Sequence, residues 1–196
     1  LYKNIVGQNN TASGSSSLYS NTSGDYNTAI GVSSLYFNTI GDDNTSIGVF
    51  ALQSNKAGSK ATAIGKSAMQ FANNTTTTFV NENVAVGYEA LKGSSIPTNN
   101  TGNSNTAVGY QTLLNNSTGS DNIAIGKSSL KTNTIGARNV AIGTETLQSP
   151  QQYNDNTAIG YLAISSSQGN KNTAVGSNAL RGSYSNLTEQ GNSAIG

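Results

Sequence analysis

Read for hydrophobic and polar positions alone, the chain repeats one short burst, Asn-Thr-Ala-Ile-Gly, set in long polar stretches. Copies end at Gly14, Gly31, Gly48, Gly65, Gly87, Gly109, Gly126, Gly143, Gly160, Gly176 and Gly196. The steps between these glycines are 17, 17, 17, 22, 22, 17, 17, 17, 16 and 20 residues. Four residues after most of them stands one large apolar residue, as at Leu18, Leu35, Leu52, Met69, Leu91, Leu113, Leu130, Leu147, Ile164 and Leu180. A further glycine falls three residues before the Asn in most copies, for example Gly24, Gly41, Gly119 and Gly136. A fixed period of this kind marks a repeat architecture. Asn, Thr and Gly are poor helix formers, so each period reads as one turn of a β-solenoid, with two short strands per coil and glycine at the corners.

Within the burst, side chains alternate between two faces. The second and fourth positions share a face: Thr28 and Ile30, Val84 and Val86, Ile123 and Ile125. Being the more apolar pair, they are expected inside, stacked with the Leu row into a thin core. The third position is then expected outside. It is Ala in ten of eleven copies and Ser46 in the other. A row so uniformly small implies close approach of another surface, so Ala29, Ala63, Ala85, Ala107, Ala124, Ala141, Ala158 and Ala174 form a candidate intersubunit ladder. A homotrimer around a central axis would close it. The Asn before each strand is expected to stack as a corner ladder of side-chain hydrogen bonds.

Composition sharpens this picture. The 196 residues are 34% hydrophobic and 10% charged, with 22 glycines and a net charge of +1. Such a chain buries a core along one dimension rather than in a globule. It has no histidine and no cysteine, which removes the usual general base and thiol chemistry. No Ser-Lys or carboxylate pair recurs, the Asp of calcium-binding nonapeptide repeats is missing, and phosphate-binding glycine loops are absent. No catalytic residue, cofactor or metal site is therefore expected. The low net charge gives no bulk attraction for nucleic acid, and no apolar run is long enough to insert in a membrane. Asp42 and Asp43 read as a solvated turn, and Lys56, Lys60 and Lys66 as a solvated edge. The Asn-x-Ser/Thr sequons at Asn21, Asn44 and Asn186 follow from composition.

The bursts, such as Asn27–Gly31 and Asn122–Gly126, resemble the head repeats of YadA-like trimeric autotransporter adhesins, with their Asn-Ser-Val-Ala-Ile-Gly signature. Related arrays occur in phage tail fibres. The resemblance runs over every coil. It differs in a longer 17-residue coil and an Asn one place nearer the Ala-Ile-Gly. It implies an all-β, left-handed parallel β-roll, a homotrimer, and an extracellular adhesive role at a cell surface or on a virion fibre. The expectation is one repeat domain of about eleven coils over residues 1–196, cut from a longer array. Head-to-tail stacking of such coils into a filament is the alternative, and ice binding by a Thr row a minor one.

Function is then expected where the repeat is broken. The stretches from Met69 to Asn83, Leu91 to Asn105 and Leu180 to Asn192 are longer than their counterparts, always between the Leu and the Asn. Insertions on one edge often form a binding face. Phe71, Phe79, Ile96 and Tyr184 are the candidate contacts there for a host receptor or glycan, beside tolerated-loop and packing roles. Tyr2, Tyr19 and Tyr36 hold one position in successive coils and are expected to stack, as are Tyr88 and Tyr110.

Overall fold

The computed structural model describes residues 1–148, 152–165, 169–182 and 191–196. The chain is an all-β parallel solenoid. One strand per coil joins a single eleven-stranded parallel sheet: Thr11–Ser13, Thr28–Ile30, Thr45–Ile47, Thr62–Ile64, Val84–Val86, Thr106–Val108, Ile123–Ile125, Val140–Ile142, Thr157–Ile159, Thr173–Val175 and Ser193–Ile195. Pairing runs in chain order with equivalent residues opposed, as in Ala124↔Ala141 and Ala141↔Ala158. The longer coils keep this register, Ala63↔Ala85 and Ala85↔Ala107, so the extra residues of the first two insertions do not shift the sheet.

Among the described residues, the second strand expected in each coil does not form. Apart from a two-residue pairing of Gly58–Ser59 with Phe79–Val80, the other sides are tight turns joined coil to coil by backbone hydrogen bonds, such as Leu35 N–H to Ala51 O at 3.0 Å. The reason lies in the backbone. Left-handed residues recur at fixed places, for example Tyr26 (φ 56°), Ser33 (φ 53°) and Leu35 (φ 52°). Each such residue bends the chain, and two of them flanking one residue leave no extended run on that side. A left-handed L-residue costs about 1–2 kcal/mol, which the intercoil ladder must offset. The glycine closing each strand goes further: Gly126 has φ +122°, and a Cβ there would lie 2.4 Å from Gly143 O.

The facing of the strand is opposite to that expected. Ala29, Ala63, Ala85, Ala107, Ala124, Ala141, Ala158 and Ala174 are all 0% exposed within one chain and form the core with the Leu row. They are therefore not available as an intersubunit ladder. The second and fourth positions point outward. The interior is too narrow for the larger residues, because each coil also buries up to two Asn side chains and the residue before the Leu, such as Ser34, Ala51 or Thr112. Beside these only a methyl-sized group fits. Ser46, the one replacement, donates its hydroxyl to Ala51 O at 2.9 Å and accepts from Ser34 Oγ at 2.7 Å.

The Asn ladder forms as expected. Asn44 donates both its backbone N–H and its Nδ2 to Asn27 Oδ1, at 3.1 and 3.0 Å, and Nδ2 also reaches Gly58 O at 2.9 Å. Two rows not anticipated join it. Asn21, Asn38 and Asn55, three residues after the Leu, pass Nδ2 to Oδ1 from coil to coil, as do Asn133 and Asn116. Two residues before the strand Asn, Asp25, Asp42, Ser59 and Asn154 each accept a backbone N–H from the preceding coil, so Asp42 is a ladder member rather than simply solvated. Buried amides demand partners, and stacking supplies most of them; Asn55 Oδ1 and Asn133 Oδ1 are left without one.

Candidate functional site

Two surfaces depart from a sealed solenoid. The first is the outward face of the sheet. Its two ranks are Thr28, Thr45, Thr62, Val84, Thr106, Ile123 and their equivalents, and Ile30, Ile47, Ile64, Val86, Ile125, Ile142 and Ile159. Many of these apolar side chains are well exposed; Ile123 is 42% and Ile142 36% accessible. One residue past the strand glycine, Val32, Tyr88, Tyr110 and Tyr161 extend the apolar band around the corner. Tyr88 and Tyr110 stack at 5.3 Å with 9° between their planes.

The second is the insertion edge. The insertion after Met69 is pinned where Phe79–Val80 pairs with Gly58–Ser59. Phe79 packs over Gly58, where a Cβ would come within 2.5 Å of its ring. Phe71 is half-buried, with Lys92 Nζ 5.8 Å from its ring centroid, and its carbonyl accepts from Asn100 Nδ2. Both phenylalanines thus hold the edge together. The insertion after Leu91 contains a 3₁₀ turn, Pro97–Asn99, started by a proline that presets φ. Asn100 closes the loop: Oδ1 accepts from Ser94 N at 2.9 Å and Nδ2 donates to Ser94 O at 2.8 Å. Ile96 stands at the tip, 57% exposed. Tyr184 lies outside the described residues.

Among the described residues, cavities form along this edge. One of about 20 Å³ lies among Met69, Phe71, Asn81, Asn83, Leu91 and Asn116, enough for one water. The other, about 350 Å³, is an open groove lined by Phe37, Ser54, Lys56, Asn74 and Pro97. The sequence marked the two insertions that frame it. It did not show that the second insertion leans back to face Phe37 and Lys56, residues some forty to sixty positions earlier.

The tyrosine row is structural in form. Tyr2, Tyr19 and Tyr36 stack at 5.0 and 5.1 Å with 6° and 3° between planes, so the ring faces are spent on each other. Phe37 meets Tyr36 at 79° and stays out of the stack. The charged groups are sparse. Lys92 Nζ sits 2.7 Å from Glu89 Oε1. Glu89 also accepts from Gln111 Nε2 at 2.7 Å. The Lys92 hydrogen bond chiefly holds the Glu89 carboxyl below its ordinary range, against the opposing effect of burial. Among the described residues, no helix is long and apolar enough to cross a membrane.

The fold and these surfaces define a parallel β-solenoid repeat protein. The chain matches no family model, no curated protein and no solved structure.

Proposed function

We propose that this chain is a structural and adhesive segment of an extracellular fibre, assembled as a homotrimer and without catalytic activity. The observation that supports it is the exposed Ile/Val rank on the outer face of the parallel sheet. Parallel sheets are ordinarily covered on both faces, and a contiguous exposed apolar band marks an interaction surface. Here the core covers one face only. The band turns the corner at Val32, Tyr88, Tyr110 and Tyr161, so each chain offers two adjoining faces, and a heterologous contact between them makes a ring when its rotation closes. The repeat's resemblance to trimeric adhesin heads favours three members.

Light scattering on the purified chain tests this. The expected mass is three times the 20.1 kDa chain. A monomer at micromolar concentration would remove the trimer from the proposal.

The outward Thr rank favours a second reading, ice binding. The sequence argued against it by placing this row inside, and the row is in fact outside. Thermal hysteresis in a solution of the monomeric chain would support it, and none would end it.

A further inference from the structure

We infer that the groove between Phe37, Ser54, Lys56, Asn74 and Pro97 binds one sugar unit bearing a carboxylate, of the sialyl or uronyl kind. The inference rests on the adhesive part of the function proposed above and names its ligand. The groove is built from four separate stretches: two successive coils and both insertions. At about 350 Å³ it falls in the range of small-ligand sites.

Each wall has a distinct capacity. Phe37 is 43% exposed, and its ring stays out of the tyrosine stack, so it presents apolar surface to the C–H face of a pyranose. Among the described residues, Lys56 is the only charged one lining the groove, and it sets the sign of the ligand. Ser54 brings a hydroxyl. Asn74 brings a side-chain amide whose Oδ1 is buried without a hydrogen-bond partner, so its side chain has to turn before a sugar hydroxyl reaches that oxygen. Pro97 closes the far side on its anchored turn.

The walls are also fixed in advance. Phe37 N–H is bonded to Gln53 O at 3.1 Å and Ser54 N–H to Gln70 O at 3.0 Å. Lys56 O accepts from Thr39 N–H at 2.8 Å, and Asn100 N–H reaches Pro97 O at 3.0 Å. Little backbone ordering is left for the ligand to bring about. A charge-assisted contact discriminates against an uncharged analogue by about tenfold or more.

The experiment is an NMR titration of the full chain with N-acetylneuraminic acid, glucuronic acid, glucose and sodium acetate in turn. One or both acidic sugars should move the Phe37 ring and Lys56 signals saturably, and glucose should bind about tenfold more weakly. The stronger of the two acids identifies the kind of sugar. Phe37→Ala should lose sugar binding. Lys56→Ala should lose the preference for the acids, with circular dichroism unchanged in both variants. No saturable movement of Phe37, or acetate alone reproducing every shift, would overturn the site. So would folded variants that bind like the parent chain. Mass measured on the same sample separates the two proposals. A trimer that ignores every sugar overturns the groove and leaves the fibre standing; a monomer that binds removes the trimer and leaves the adhesive groove standing.

Discussion

Asn122 Oδ1 accepts both the backbone N–H and the Nδ2 of Asn139, each at 3.0 Å. One buried oxygen thus holds two donors of the next coil. Asn122→Ala would leave Asn139 Nδ2 its bond to Tyr153 O, but would strip the backbone N–H of its acceptor. An orphaned buried donor costs about 1–3 kcal/mol. Urea denaturation should show that loss, with Asn139 amide exchange accelerated.

The chain contains a natural control for this. At Ala61 the strand Asn is missing, and the N–H of Asn83 is taken instead by Asn81 Oδ1 at 3.1 Å. Asn81 directly follows the first insertion and bonds through its N–H to Ser59 O at 2.9 Å. Asn81→Ala should therefore cost a similar amount, about 1–3 kcal/mol, despite lying in a loop. An unchanged urea midpoint would show that solvent reaches this amide.

Opposite faces of one strand should respond differently to charge. Ala124→Arg forces a guanidinium into a core position that is 0% exposed, and should abolish cooperative folding. Ile142→Lys places its charge on the outer rank and should leave circular dichroism unchanged. On the trimer reading, it should lower the mass seen by light scattering to that of one chain.

Corner geometry separates residues by backbone alone. Glu145 has φ 56°. Glu145→Gly should be near neutral, because relief of left-handed strain offsets the greater freedom of the unfolded chain. Glu145→Val should be destabilising, because a β-branched side chain fits the left-handed region worse than Glu does. By contrast, Gly126→Ala combines φ +122° with a Cβ 2.4 Å from Gly143 O, and should cost more than either. Thermal unfolding of the three variants checks the order.

Acid should act through Glu89. Its folded carboxyl titrates below the ordinary value because Lys92, then Gln111, bond to it. A group whose pKa is lowered by folding contributes stability above its unfolded pKa. That contribution falls away as pH drops through the unfolded value and then the folded one. Stability should decline below about pH 4.3, and Glu89→Gln should flatten that part of the profile in urea titrations at successive pH values.

Much of this was legible along the chain. The spacing of Gly126, Gly143 and Gly160 sets the coil length and the in-register pairing of Ala124 with Ala141 and Ala158, since equal loops bring equal residues together. The stacks of Tyr19 on Tyr36 and of Asn44 on Asn27 follow from the same register. The insertions were visible as excess length, but Phe71 and Phe79 hold the edge together, and the groove walls include Phe37, Lys56 and Pro97. Nothing local to a loop says over which earlier coil it leans.

The period, the register and the two faces of every strand are written in the repeat. Which face lies inside is not; it follows from how the coil packs. Alternation is symmetric: it separates Ile123 and Ile125 from Ala124 without saying which side closes. The inner width breaks the symmetry. With Leu130, Asn122 and Asn133 already buried in that coil, the remaining space admits a methyl group, so Ala124 turns in and the isoleucines stand out as the surface a partner would cover.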